Sequence, residues 1–329
     1  MKKPLLDIKN LDIGYSTKGQ KKPIQTNLNL SLNEGEMICL IGPNGSGKST
    51  LIKTLGSIIH QLKGDIFIRD IRLSEMNQNQ LSQTIGLVLT DHFDVMHLKA
   101  IDVISMGRYP YTGFWGKLKK KDWQIIDEIN EKVGIQNIVN RAFNELSDGE
   151  RQKVMIAKAL AQQTPLMLLD EPTAFLDFPT KSSLLMMLRN LAKEQQIGII
   201  LSTHDIELAL KTADQMWIFP EHQKMVDGIP EDLVLDGTIN QVFHNKEMSF
   251  DLDTGHFERQ FHARKCINVP GKSVKSYWLS KAFHRNEIDT NGQSDWFIEA
   301  DEHFIIYKKD QKVAEFDSIK EVLSFLQIQ

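Results

Sequence analysis

The sequence has few cysteines and no long apolar run. Only Cys39 and Cys266 occur in 329 residues, too far apart for the paired spacing of a zinc site or a redox motif. No stretch approaches the roughly 18 consecutive apolar residues that cross a bilayer. The N-terminal residues are too short and too broken by charge to be a signal peptide. We therefore expect a cytoplasmic chain whose contact with a membrane is indirect.

The chain also lacks a basic excess, an internal repeat and a heptad run. Its net charge is −4, whereas a nucleic-acid-binding domain usually carries a strong surplus of Lys and Arg. We expect no nucleic-acid partner. With 41% apolar and 25% charged residues, the composition is typical of a globular protein. The length allows one large domain, or a large domain and a small one.

A glycine-rich loop directly follows an apolar run. Met37–Ile41 is the run, and residues 42–50 match the pattern G-x-x-x-x-G-K-[ST] in the context of a phosphate loop. Glycines let the backbone curl round a phosphate with its N–H groups pointing inward, and the following helix adds its positive end. The candidate nucleotide-binding residues of this loop are Gly42, Pro43, Asn44, Gly45, Ser46, Gly47, Lys48, Ser49 and Thr50.

A second apolar run, residues 166–169, ends in two acids. Asp170 at the strand tip can hold Mg²⁺ through water, and Glu171 can polarise the water that attacks a γ-phosphate. In the phosphate loop, Lys48 would reach the β- and γ-phosphates, and the Ser49 hydroxyl would bind Mg²⁺ directly. Taken alone, residues 166–171 could instead be a strand that ends in a solvated charged turn.

The segment Leu146-Ser147-Asp148-Gly149-Glu150 precedes a predicted helix and has two interpretations. Ser147 followed three residues later by Glu150 is a capping box, which stabilises a helix N-terminus. The same geometry, a helix start with a hydroxyl and a glycine, also binds phosphate. The two interpretations are compatible.

From residue 149 the chain alternates helices and strands, which predicts a parallel sheet flanked by helices. Short β-like runs come first, and a mainly helical stretch is expected from about residue 101 to 139. The character changes near Phe261, after which the pattern predicts a small α+β unit without a motif that we can assign. The predicted alternating elements are helices 149–162, 180–194 and 205–213 and strands 166–169, 198–202 and 215–219.

In their order and spacing, these motifs and Ser202-Thr203-His204-Asp205 resemble the ATP-binding subunit of ABC transporters. The resemblance covers about residues 3–260. It implies an α/β fold with a phosphate-loop NTPase sheet core, an N-terminal antiparallel β subdomain and a helical signature subdomain at about 92–160. It predicts an ABC ATP-binding domain over residues 1–261, and residues 262–329 would form a small C-terminal α+β extension of unknown role.

The resemblance also assigns roles to matching residues. Tyr15 matches the aromatic residue that stacks on adenine, and His204 matches the histidine that hydrogen-bonds the γ-phosphate. Asp177 matches an acid that contacts the second subunit of a homodimer. The ligands implied are ATP and Mg²⁺, and the catalytic residues are Glu171, His204 and Lys48. The residues that would bind the partner's ATP are Ser147, Asp148, Gly149 and Glu150.

One position departs from the family pattern. A glutamine that senses the metal and the permease normally follows the strand that corresponds to residues 85–89. Here Thr90 holds that position and Asp91 follows it. Both side chains carry oxygen ligands. We expect Thr90 to be the direct neighbour of the metal and Asp91 to lie one shell further out, through water.

Residues 106–111, Met-Gly-Arg-Tyr-Pro-Tyr, resemble a segment of subunits that serve importers of ferric siderophores, haem and vitamin B12. The segment could also be no more than a helix C-terminus. The resemblance implies a homodimeric ATP hydrolase on the cytoplasmic face of the membrane, bound to transmembrane permease subunits and acting indirectly with a solute-binding protein. The alternatives are a soluble ABC-type ATPase without a permease and a subunit of an importer for another solute. A regulator that no longer hydrolyses ATP would need a damaged loop or acid pair, and both are intact.

Overall fold

The chain divides into two units, residues 1–236 and residues 237–329. The computed structural model describes residues 3–17, 20–89, 98–113, 116–174, 176–221, 224–244, 248–252, 254–263, 265–292 and 294–326. The predicted end of the ATP-binding domain at residue 261 stays a prediction, because a division by packing and a division by function need not coincide.

The first unit combines two sheets with helices. Its strands are β1 (Leu6–Thr17), β2 (Gln20–Leu32), β3 (Met37–Ile41), β4 (Lys63–Ile68), β5 (Ile71–Arg72), β6 (Ile85–Val88), β7 (Leu166–Leu169), β8 (Gly198–Ser202), β9 (Gln215–Ile218) and β10 (Val226–Gly228). Its helices are α1 (Lys48–Leu55), α2 (Gln78–Thr84), α3 (Ala100–Ser105), α4 (Lys120–Val133), α5 (Asp148–Ala161), α6 (Phe178–Gln195), α7 (Ile206–Thr212) and α8 (Pro230–Leu235). Short 3₁₀ segments cover Leu73–Glu75, Met106–Tyr111 and Phe143–Glu145.

The larger sheet has the strand order β10-β9-β3-β8-β7-β6, and all its pairs are parallel except β10 with β9. The smaller sheet, β2-β1-β4-β5, is antiparallel. Strands β3, β7 and β8 are buried along their whole length, as expected for parallel strands covered on both faces. Cys39 in β3 is a core residue, and burial raises the pKa of its thiol to about 12. The predicted fold class is confirmed.

Two strands differ from the sequence-based expectation because their residues carry little apolar pattern. Strand β2 begins at Gln20, although the apolar run begins only at Leu28; its first eight residues are exposed or half-buried. Strand β17 (Gln311–Phe316) lies at the edge of its sheet and was not predicted. At such positions the pairing partner, rather than the side-chain pattern, determines the strand.

The helical stretch expected from about residue 101 to 139 is interrupted. Helix α3 ends at Ser105, and a 3₁₀ segment follows before α4 begins at Lys120. A Cβ atom on Gly107 would lie 2.2 Å from the carbonyl oxygen of Lys158, so the chain passes very close to α5 at this point. Pro110 lacks the N–H group that a continuing α-helix needs.

Arg108 holds this helical region together from inside. Only 5% of its side chain is exposed. Its Nε donates to Oδ1 of Asp122 in α4 at 3.0 Å, and its Nη1 donates to the carbonyl oxygen of Ala161 at 2.8 Å, at the end of α5. Burial raises the pKa of Asp122, but hydrogen bonds from Lys119 N–H and Arg108 outweigh it, so the net pKa lies below its usual value. The arginine of the importer-like segment therefore has a structural role.

The second unit is a small α+β unit. Its helices are α9 (Thr238–Phe243), α10 (Val274–Arg285) and α11 (Ile319–Phe325). Its strands are β11 (Met248–Asp251), β12 (His256–Arg259), β13 (Lys265–Cys266), β14 (Ile288–Asp289), β15 (Trp296–Ala300), β16 (Phe304–Lys308) and β17. The hairpin β11–β12 joins α9 through a hydrogen bond of 3.1 Å from Phe250 N–H to Oδ1 of Asn240. Leu279 and Phe283 of α10 pack with β15 and β16 to form the core.

We expect Arg108→Ala to lower the free energy of unfolding by about 3–5 kcal/mol, because it leaves the Asp122 carboxylate buried without its partner. Urea unfolding followed by circular dichroism measures the change. A matched control is Lys3→Ala, which breaks the exposed Lys3–Asp70 ion pair and should change stability little. The double variant Arg108→Met/Asp122→Asn should recover part of the loss, since it removes the buried charge. Equal effects of Arg108→Ala and Lys3→Ala would contradict the structural role of Arg108.

Candidate functional site

The glycine-rich loop connects β3 to α1, and two of its glycines are required by the geometry. Gly42 has φ 155°, and a Cβ atom there would lie 2.5 Å from the carbonyl oxygen of Phe219. Gly47 has φ 109° and stands directly before α1; a Cβ atom there would lie 2.9 Å from Cγ2 of Ile24. A side chain at either position would push the loop away from the sheet.

Lys48 lies inside the curve of the loop. The residue is 4% exposed, and its Nζ donates to the carbonyl oxygens of Gly42 at 2.8 Å and Pro43 at 3.0 Å. Burial lowers the pKa of Lys48, while the nearby carboxylates of Glu171 and Asp170 oppose that shift. An anion that enters the loop would therefore meet a positioned ammonium group.

A chain of hydrogen bonds joins three strand ends. Ser49 Oγ donates to Oδ1 of Asp170 at 2.9 Å. Ser202 Oγ, at the end of β8, donates to the same carboxylate oxygen at 2.8 Å and accepts a hydrogen bond of 2.8 Å from the N–H of Glu171. Asp170 N–H in turn donates to the carbonyl oxygen of Val88, the last residue of β6. The acid pair is thus fixed to the loop and to the sheet.

Glu171 has an unusual backbone conformation. Its φ is 48°, in the left-handed region, which costs a residue with a side chain about 1–2 kcal/mol. The bond from its N–H to Ser202 holds this conformation. Its Oε1 lies 2.7 Å from Nε2 of His204. Both residues line a cavity of about 100 Å³ that Lys181 also borders, large enough to hold water.

Tyr15 and Gln25 contact the loop and the first turn of α1 from the smaller sheet. Tyr15 is 48% exposed, and its hydroxyl lies 3.4 Å from Oγ1 of Thr50. An exposed aromatic face beside a phosphate loop can stack on a planar base. Gln25 Nε2 donates to the carbonyl oxygen of Ser46 at 3.0 Å and braces the loop from the same side.

Ser147 is the N-cap of α5, and the capping box is present. Its Oγ accepts from Glu150 N–H at 3.3 Å, and the Glu150 carboxylate accepts from Ser147 N–H at 2.9 Å. The Ser147 N–H bond is the main cause that lowers the pKa of Glu150. Within the described part of the chain, no hydrogen bond connects residues 147–150 to the loop at 42–50. The capping box is thus confirmed, and the binding of these residues to the ATP of a second subunit stays a prediction.

Asp177 is the N-cap of α6 and is exposed. Its Oδ1 accepts from Thr180 N–H at 3.1 Å, and hydrogen bonds from Thr180 lower its pKa. A Cβ atom on Gly149 would lie 3.3 Å from Cδ2 of Leu176. The segment 147–150 and the loop before α6 therefore adjoin within one subunit.

The structure brings together Lys48, Ser49, Asp170, Glu171 and His204 from the predicted set. The prediction for Thr90 and Asp91 lies outside the described residues. Sequence reasoning assigned no role to Ser202, although it quoted the residue. The available signal was a polar residue at the end of a predicted buried strand, where a side chain without a partner would be costly.

Residues 25–174 match the family described as ABC transporter. Residues 263–327 match the family described as iron ABC transporter C-terminal domain. The second match lies within the stretch in which the sequence showed no assignable motif.

An uncharacterized ABC transporter ATP-binding protein of Methanocaldococcus jannaschii is 37% identical over 286 residues, which cover 85% of this chain and 97% of that protein. A petrobactin import ATP-binding protein of Bacillus anthracis is 32% identical over 245 residues, or 74% of this chain and 89% of that protein. A solved metal-chelate type ABC transporter in an inward-facing conformation superposes with a TM-score of 0.65 at 25% identity, over 79% of this chain and 98% of that chain.

We expect Ser202→Ala to reduce nucleotide hydrolysis by about 10–100-fold, because a lost buried hydrogen bond of this kind costs about 1–3 kcal/mol and here releases Glu171 from its position. Steady-state phosphate release measures the effect. The control is Ser105→Ala, which removes the hydroxyl of another buried serine, in α3. Ser105→Ala should lower stability about as much as Ser202→Ala does, while its hydrolysis stays near the wild-type rate. Equal hydrolysis in both variants would show that Ser202 does not position Glu171.

Proposed function

The chain belongs to the ATP-binding subunits of ABC transporters, which bind and hydrolyse ATP, and on that premise we propose that it powers the import of an iron complex. The observation that carries this proposal is the match of residues 263–327 to the iron ABC transporter C-terminal domain, on the chain that also holds the hydrogen-bonded site. The petrobactin relative supports import and a ferric siderophore as solute. The solutes that we propose are a ferric siderophore or haem, with cobalamin as the second choice.

The loop and the acid pair offer donors that fit Mg²⁺. Ser49 Oγ and Asp170 Oδ1 lie 2.9 Å apart, and both are oxygen ligands. Mg²⁺ in such sites takes one or two protein oxygens and completes its shell with water and substrate phosphates. Ser49 would hold the ion directly and Asp170 through water, with Thr90 as a further proposed neighbour. When bound, the ion would neutralise charge on the phosphates.

Hydrolysis then depends on where the side chains place protons and charge. Lys48 would exchange its bonds to Gly42 and Pro43 for the β- and γ-phosphates. Glu171, held by Ser202, would accept the proton of the attacking water. His204 now contacts Glu171 at 2.7 Å; we propose that ATP separates this pair, so that His204 donates to the γ-phosphate while Glu171 faces the water. Most of the rate enhancement would come from such positioning and electrostatics.

We propose that two copies of the chain complete each ATP site. Ser147 and Asp148 are exposed at the N-terminus of α5, where backbone N–H groups and the helix dipole favour an anion. A partner's γ-phosphate would bind there, beside Gly149 and Glu150, and Asp177 would contact the partner next to it. Among the described residues, no helix is long and apolar enough to span a membrane. The proposal also includes attachment to the cytoplasmic face through permease subunits, and a solute-binding protein that delivers the cargo.

We expect Glu171→Gln to slow ATP hydrolysis by about 10²–10⁴-fold, because the general base is lost, and to retain ATP binding and a stable ATP-bound dimer. Adding Ser147→Arg should abolish that dimer, because the bulky cation fills the space for the partner's phosphate. Size-exclusion chromatography with ATP and Mg²⁺ compares the two. The matched control adds Lys153→Glu, on the same helix beyond its first turn, and should stay dimeric. A dimer that survives Ser147→Arg would restrict Ser147 to helix capping.

The import proposal predicts a transport defect. In cells that depend on this chain, Glu171→Gln should reduce uptake of a radiolabelled ferric siderophore by the same 10²–10⁴-fold range as hydrolysis. The control Glu194→Gln changes an exposed carboxylate of α6 and should leave uptake unchanged. Haem and cobalamin are measured in parallel to identify the solute. Normal uptake of all three with Glu171→Gln would contradict the proposal and favour a soluble ATPase or another solute.

A further inference from the structure

Helix α10 in the second unit exposes an apolar stripe. Val274, Tyr277 and Trp278 are 75%, 45% and 59% exposed, at the spacing i, i+3, i+4 that places them on one side of a helix. The opposite side, with Leu279 and Phe283, is fully buried in the core of this unit. The exposed stripe is therefore not needed to fold the helix against its sheet.

The same helix lies in a basic part of an acidic chain. The chain has a net charge of −4, yet residues 259–286 contain seven Lys and Arg residues and no Asp or Glu. The basic residues of this segment are Arg259, Arg264, Lys265, Lys272, Lys275, Lys281 and Arg285.

Part of this charge is directed outward beside the apolar stripe. Lys281 and Arg285 follow Val274 by 7 and 11 residues, close to two and three turns, so they continue the stripe toward the C-terminus. Lys281 pairs with Glu258, whereas Lys272 and Arg285 are exposed and have no acidic partner within 4.0 Å among the described residues. One helix face thus has an apolar N-terminal half and a C-terminal half with Lys281 and Arg285, and Lys272 lies two residues before the helix.

We propose that this face of α10 binds the surface of a membrane with anionic lipids. Helices that lie in a membrane interface combine exposed aromatic and aliphatic residues with Lys and Arg. Tyr and Trp favour the headgroup level because their rings are apolar and their tips polar. Val274, Tyr277 and Trp278 enter the interface, and Lys272 and Arg285 contact the lipid phosphates.

The charge of the face decides between a membrane and a second copy of the chain. Two copies that met through α10 would bring together two basic faces, and like charges repel. An anionic bilayer supplies the opposite charge over an extended plane, and each basic residue near it contributes about 1 kcal/mol. The inference does not rest on the proposed transport function, because it concerns binding to lipid alone.

The test is flotation of the full-length protein, without nucleotide, with vesicles of phosphatidylcholine alone or mixed with phosphatidylglycerol. We expect binding to the mixed vesicles only, and loss of binding in 0.5 M salt, where surface charges are screened. Lys272→Glu/Arg285→Glu should weaken partitioning at least roughly 30-fold, which corresponds to about 1 kcal/mol for each lost basic residue. Val274→Ser/Trp278→Ser should also weaken partitioning. In the unchanged protein we expect tryptophan fluorescence to shift to shorter wavelength on binding, and this variant should lose that shift.

Matched controls test whether an effect comes from this face of α10 or from a change of charge or exposed apolar surface anywhere on the protein. Lys309→Glu/Lys320→Glu makes the same charge change at exposed positions away from α10, and Leu235→Ser/Trp123→Ser removes an exposed aliphatic and an exposed indole elsewhere. Both controls should bind vesicles like the unchanged protein. Equal weakening in a control and its test variant would overturn the proposal. Failure of the unchanged protein to bind anionic vesicles would also overturn the proposal, even if the face were found to bind nucleic acid or a second copy of the chain.

Discussion

The register of three parallel strands is the constraint on which the nucleotide site depends. In β3, β8 and β7 the pairs Leu40 with Ser202 and Leu169 with Leu201 align the carboxyl ends of the strands. The phosphate loop, the buried serine and the acid pair therefore leave the sheet at one edge. A shift of one residue in any strand would turn its side chains to the other face, and the hydrogen bonds between Ser49, Asp170 and Ser202 could not form together.

These bonds also explain why the site tolerates an unfavourable backbone. Glu171 needs a left-handed conformation to place its carboxylate beside His204, and Ser202 accepts its N–H in that conformation. Local strain of this kind persists only where surrounding contacts determine it. Lys48 and His204 are held by groups of the protein itself. In the proposed mechanism, ATP would exchange these protein contacts for phosphate contacts.

Sequence motifs with an assigned function can have a structural role as well. Arg108, part of the segment that resembles iron importers, is buried and joins the 3₁₀ segment to α4 and the end of α5. Ser147 caps α5 with the same hydroxyl that a partner's phosphate would meet. In the second unit, α10 divides its residues between a buried side that folds the unit and an exposed basic and aromatic side. Arg108 and Ser147 thus have structural roles within motifs that resemble functional ones, whereas α10 carries its buried and exposed sets on different side chains of one helix.

The sequence by itself determined the phosphate loop, the acid pair and the alternation that makes a parallel sheet, because these depend on local spacing: glycines for a tight curve, and apolar runs for buried strands. Cys39 is buried because it lies within one of these apolar runs. Only the tertiary structure decided the roles of side chains whose contacts are distant in the sequence. Ser202 became a bridge because β8 lies between β3 and β7, and Arg108 was buried because the end of α5 and Asp122 surround it. The early part of β2 and the edge strand β17 could not be predicted, since their mostly polar residues become strands only by pairing with a neighbour.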